Sequence, residues 1–131
     1  MNTIPFQFDR RIDASILYSL YENDYLYIEE IFTTTLQHYD ADVEAFETHQ
    51  QAGSVEGLKR SVHKIKPVFG FVGMSVMQGC CQAFEEKCAV AADMRAIYPD
   101  SQKLLRLFKQ SKKIIEADLQ KLSAYNNTAT G

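Results

Sequence analysis

Residues 61–74 read SVHKIKPVFGFVGM. Within them Val62, Ile65, Phe69 and Val72 recur at steps of three and four, and Leu58 extends the row upstream, which is the spacing of a helix with one apolar face. A helix from Val55 towards Val72 follows. It is an odd helix to build for stability alone, because residues 61–74 also carry a histidine, two lysines, a proline and two glycines. Internal glycine costs about 1 kcal/mol and internal proline about 3 kcal/mol relative to alanine. Something other than helix stability selects them.

The same period runs outward in both directions. Upstream, Asp24 is placed to cap a helix whose apolar positions are Tyr25, Ile28, Phe32, Thr35, Tyr39, Val43 and Phe46, reaching Gln51; at 1.5 Å per residue it is about 40 Å long. Gly53 ends it and Ser54 caps the next helix. Downstream of Gly73, the residues Met77, Cys81, Phe84, Cys88 and Ala91 fall on one face of a third helix that stops around Asp93. Pro99 blocks simple continuation, so Asp100 or Ser101 is expected to cap a fourth, with Leu104, Leu105, Phe108, Ile115, Leu119 and Leu122 inward. A short accessory helix is expected over Ile12–Leu20, and the polar tail AYNNTATG is expected to fray. Short loops favour antiparallel neighbours. The expectation is an all-α, up-and-down antiparallel four-helix bundle with an additional short N-terminal helix: one domain over residues 1–131, its core about 12–125 and 126–131 a flexible tail.

Composition narrows the function. A chain of 131 residues with a formal net charge of −3 has no basic field to draw it onto nucleic acid. No apolar run approaches the ~18 residues needed to span a bilayer, and the start lacks a signal-peptide core, so a cytoplasmic protein without membrane contact is expected. Cys80, Cys81 and Cys88 are an odd, clustered set, read as free thiols in a reducing compartment.

His63 falls one step round from Val62, on the margin of the apolar stripe, where the ring reaches solvent while its stem is held. Lys59 and Lys66 lie one turn to either side, a cationic zone suited to an anion. Pro67 has no N–H for the carbonyl of His63, and Gly70 and Gly73 leave backbone open to close approach.

His63, Lys66 and Gly73, as H-x-x-K with glycine ten residues after the histidine, resemble the motif of histidine-containing phosphotransfer (HPt) domains of multistep phosphorelays. The resemblance extends over the helix before the motif and the two after it. It implies a four-helix bundle in which His63 accepts a phosphoryl group on Nε2, Lys66 helps position and neutralise it, and the small residue at 73 leaves room for a polar side chain from the next helix. The matching position for that side chain is Glu85, with Glu86 beside it as the alternative. Such a carboxylate on Nδ1–H would fix the tautomer that presents Nε2 and stabilise the cation formed on attack. Val68 and Phe69 depart from the small residues many members carry after the lysine, making the local surface more apolar.

The implied partners are response-regulator receiver domains and a hybrid sensor histidine kinase. The implied function is a phosphorelay carrier in two-component signal transduction, without kinase activity of its own, since neither a nucleotide loop nor an acidic magnesium cluster occurs. No cofactor is expected here, Mg²⁺ belonging to the partner receiver. The expected docking patch combines Tyr25, Tyr27, Ile28 and Ile31 with Lys59, Lys64, Lys66, Gly70 and Gly73, on a monomer. The alternative is a non-catalytic helical adaptor binding a partner through an apolar patch. A metal-binding bundle is disfavoured: His38 and Asp42 sit at i, i+4 with His49 nearby, but nothing further converges and no Glu-x-x-His pair occurs.

Overall fold

In a computed structural model, which describes residues 6–130 with side chains as far as 128, five helices follow one another with no strand among the described residues: α1 (Ala14–Tyr21), α2 (Tyr25–Gln51), α3 (Val55–Phe71), α4 (Ser75–Val90) and α5 (Met94–Thr130). Residues 1–5 of the expected domain, and Gly131 at the end of the expected tail, lie outside the described residues. Local capping sets the first boundaries. The carboxylates of Asp13 and Asp24 accept from Ser15 N–H (2.9 Å) and Tyr27 N–H (3.1 Å), and Ser54 Oγ accepts from Gly57 N–H (2.9 Å).

Helices α2, α3, α4 and α5 form an antiparallel ring in chain order, each packed on the next and α5 closing on α2. Cross-ring contacts run in opposite senses along α2 and α5: Tyr39 Oη donates to Phe108 O (2.7 Å), Gln50 Nε2 to Ser101 Oγ (2.9 Å) and Asn126 Nδ2 to Tyr25 O (3.0 Å). The α3 stripe Leu58, Val62, Ile65, Phe69 and Val72 is buried throughout, as are Ile28, Phe32, Tyr39 and Phe46 of α2, and Met77, Cys81, Phe84 and Cys88 of α4. Phe69 and Phe108 stack with ring centres 5.9 Å apart, and Phe46 stands edge-on to Phe108 at 5.2 Å. This aromatic block backs α3 directly behind its exposed face.

Three boundaries differ from the sequence expectation. Helix α1 begins at Ala14 rather than Ile12, because Asp13 caps it, and it leaves Leu20 exposed. Helix α5 begins at Met94, and its first turn is held by Asp93, whose carboxylate accepts from Ala96 N–H (3.3 Å). Pro99 lies within it. The only donor lost is the one that would have met Arg95 O, in an exposed turn that water reaches, while continuing the helix buries Ile97. Ser101 is therefore no cap; it is buried, donating to Tyr98 O (2.7 Å) and accepting from Gln50. At the other end the helix continues through Thr130 instead of closing near 125, because Asn126 is buried and also reaches Glu29 Oε1 (2.7 Å).

Residues Phe6–Asp9 lie across the end of the bundle. Phe6 and Phe8 join Tyr25, Phe32 and Tyr125 in an aromatic cluster, and Asp9 N–H donates to the buried carboxylate of Asp118 (2.7 Å).

Candidate phosphoryl site

The turn between α3 and α4 sets a register that assembles the site. Gly73 has φ +73° and follows the last residues of α3, so α4 returns antiparallel along α3. Residue 70 then meets 78, 66 meets 82 and 63 meets 85. On each helix these positions lie one step round from the buried stripe: Gln78, Gln82 and Glu85 follow Met77, Cys81 and Phe84, while His63 and Lys66 follow Val62 and Ile65. Packing of the stripes thus lines up two polar edges at the surface.

The His63 side chain is 73% exposed, and its Nδ1 lies 3.3 Å from both carboxylate oxygens of Glu85. Glu85, not Glu86, is the residue that turns in; its side chain is 13% exposed, and Glu86 is exposed and accepts from Gln82 Nε2 (3.0 Å). Lys66 is 20% exposed, unusually low for a lysine. Its Nζ donates to Gln82 Oε1 (2.8 Å) and lies 3.1 Å from Glu85 Oε1. Glu85 therefore bridges the imidazole and the ammonium. A carboxylate only accepts, so its contact fixes the hydrogen on Nδ1 and turns the Nε2 lone pair outward.

The remaining expected site residues separate by burial. Lys59 is half-buried on the same edge, and Lys64 is exposed and paired with Asp42 (3.4 Å). Gly70 is half-buried, and a Cβ there would come within 2.9 Å of Gln78 Nε2. Gly73 does not open room for Glu85: it is buried in the turn, its carbonyl accepting from Asp13 N–H (2.7 Å), and a Cβ would meet Asp13 O and Leu17 Cγ at 3.1 Å. It cannot touch a partner. Ile28, 1% exposed, is likewise removed from any docking surface, because α1 and the N-terminal segment cover it. Tyr25 and Ile31 are half-buried against the core. Tyr27 is exposed, edge-on to Tyr21 at 5.5 Å.

Two residues that the sequence expectation does not include stand beside these. Phe71 is 54% exposed, and its carbonyl accepts from Tyr21 Oη (2.9 Å), so Phe71, Tyr21 and Tyr27 form an apolar surface about 12 Å along α3 from His63. The available signal was an aromatic residue off the apolar stripe. Gln82 could have been found by counting the register from the turn.

Among the described residues no three His, Cys, Asp or Glu side chains converge on a metal position, and Asp42 pairs with Lys64 instead. The cysteines are free; burial pushes the Cys81 thiol up to about 12 and Cys88 to about 11, leaving both protonated. Among the described residues no helix is long and apolar enough to cross a membrane.

The fold and motif have counterparts. The crystal structure of the HPT domain from a sensor hybrid histidine kinase of Shewanella superposes with a TM-score of 0.74 at 16% sequence identity, covering 86% of this chain and 97% of that one; this likeness establishes the fold. Comparison with curated proteins gives no match. The Hpt domain family model matches residues 30–125, a span that contains His63, Lys66 and Glu85. The chain therefore belongs to the Hpt domain family, the histidine phosphotransfer modules of two-component phosphorelays, whose partners are receiver domains.

Proposed function

We propose that His63 accepts a phosphoryl group from the aspartyl phosphate of a receiver domain, such as that of a hybrid sensor histidine kinase, and passes it to the aspartate of another receiver. The observation that carries this reading is the exposed imidazole whose Nδ1 is held by Glu85, leaving Nε2 free towards solvent. In the transfer, a bond forms between Nε2 and phosphorus while the bond from phosphorus to the aspartyl oxygen breaks, its electron pair leaving with the carboxylate. The ring becomes cationic. Its Nδ1 proton stays in place, facing Glu85, so the charge forms beside a carboxylate already present. Lys66, held within reach on the α4 side, meets the phosphoryl oxygens as a point charge. The same steps reversed empty the histidine.

The chain needs no nucleotide or metal of its own for these steps; Mg²⁺ comes with the receiver. The docking surface is the α3 edge around His63 with Lys59 and Lys64 at its rim, extended by the Phe71, Tyr21 and Tyr27 cluster, and it serves a cytoplasmic monomer.

The test is incubation of the full chain with a receiver domain charged by labelled acetyl phosphate. Acid-labile, base-stable label on the wild type that disappears in His63→Gln supports the reading. Partner binding unchanged by His63→Gln, with no label on the wild type, would establish the helical adaptor in its place.

A further inference from the structure

We infer that Gln82 is a positioning residue for phosphoryl transfer, holding Lys66 where it meets the phosphoryl group; this rests on the proposed role of His63. The ammonium of Lys66 can only donate, and it donates to Gln82 Oε1 at 2.8 Å. The carboxylate of Glu86 can only accept, and it accepts from Gln82 Nε2 at 3.0 Å. Both neighbours therefore force the same orientation on the amide. Among side chains of this length only an amide offers an acceptor to the lysine and a donor to the carboxylate at once.

The consequence is visible on Lys66 itself. Its side chain is 20% exposed, whereas Lys64, also ion-paired and only two residues away, is 77% exposed. Gln82 and Glu85 take two of the three ammonium hydrogens and leave the third for an incoming oxygen. Because Gln82 is neutral, it fixes the lysine without cancelling its charge. A glutamate at 82 would add a third carboxylate beside Glu85 and Glu86. A lysine held in advance spares the ordering that a solvated one undergoes when phosphate arrives.

The experiment is single-turnover transfer from a receiver domain charged with acetyl phosphate to the full chain, measured against receiver concentration. Gln82→Leu is expected to lower the saturating rate about tenfold, the effect of losing one charge-assisted hydrogen bond. The half-saturating receiver concentration stays unchanged. Adding Gln82→Leu to Lys66→Ala should slow transfer no further, because the glutamine acts through the lysine. The exchanged pair Gln82→Glu with Glu86→Gln still holds the lysine but sets a second carboxylate against it beside Glu85, so its saturating rate should stay below wild type; a wild-type rate in this pair overturns the requirement for a neutral partner. A wild-type saturating rate in Gln82→Leu, or an equal further loss in the Lys66→Ala background, overturns the assignment. Failure of the wild type to take label on His63 refutes the underlying function instead, so the two outcomes are separate.

Discussion

Replacing Glu85 by glutamine isolates the charge of the group that faces Nδ1. The variant keeps an acceptor of the same length, so the tautomer and the contact with Lys66 survive. What goes is the negative charge. In the resting site Nδ1 lies 3.3 Å from both oxygens, slightly beyond the usual N–H···O range, which leaves room for the contact to shorten when the ring charges. A hydrogen bond to a charged group contributes about 1.5–3 kcal/mol against 0.5–1.5 kcal/mol for a neutral pair. Because His63 is largely exposed, the lower end applies, about 1 kcal/mol, or roughly fivefold. That factor should appear in full in the equilibrium between receiver phosphate and phosphohistidine, shifting it towards the receiver. The forward rate should fall by less, since the ring is only partly charged in the transition state. Rapid-quench transfer with labelled receiver in both directions measures both quantities, and the difference from wild type should narrow at high salt. An equilibrium in Glu85→Gln equal to wild type, or displaced towards the histidine, would refute the electrostatic role of Glu85.

Tyr39→Phe removes the buried hydroxyl that donates to Phe108 O and should lower stability by about 1 kcal/mol, read as a reduced urea midpoint at unchanged slope; an unchanged midpoint would contradict it. Gly73→Ala forces a left-handed backbone on alanine, about 1–2 kcal/mol, and brings its Cβ to 3.1 Å from Asp13 O, so thermal unfolding should show at least that loss. Stability within about 0.3 kcal/mol of wild type would mean the turn relaxes freely. At Asp118, burial raises the carboxyl above its ordinary 3.8, more than Asp9 N–H and Lys121 lower it, and one oxygen finds no hydrogen-bond partner among the described residues, Lys121 Nζ standing 3.7 Å from it. The native state therefore binds the extra proton, so this residue's contribution to stability grows as pH falls from neutral through the raised value towards 3.8. Asp118→Asn should be more stable than wild type at pH 7, on the order of 1 kcal/mol, with the gap narrowing on acidification; a gap that widens would sink the argument.

Much of the fold is legible because each helix advertises a stripe at its own period, and caps such as Asp24 and Ser54 act within three residues. Pro99 misleads for the converse reason: the local penalty is real, yet burial of Ile97 on the rest of the bundle outweighs it. The α5 stripe also contains Ser101, Asp118 and Asn126, polar residues that no apolar period reveals. Their partners, Gln50, Asp9 and Tyr25, are more than fifty residues away in sequence, beyond any local window. At the site, His63 and Lys66 are readable from helix spacing alone. The choice of Glu85 over Glu86, and the presence of Gln82, depend on how α4 returns along α3. Ile28 fails as a surface residue because the segment that covers it precedes α2, whereas Phe71 stands at the margin where stripe and surface meet.

The fixed register between α3 and α4 makes the site sensitive to counting rather than to composition. Inserting or deleting one residue between positions 63 and 85 would rotate everything beyond it by about 100° and carry either the imidazole or its carboxylate off the shared edge. Length changes before 63 or after 85 leave the pairing intact. Gene duplication and loop remodelling thus have latitude at the outer ends of these two helices, and in-frame indels within the 63–85 interval should be the ones that natural variation rejects.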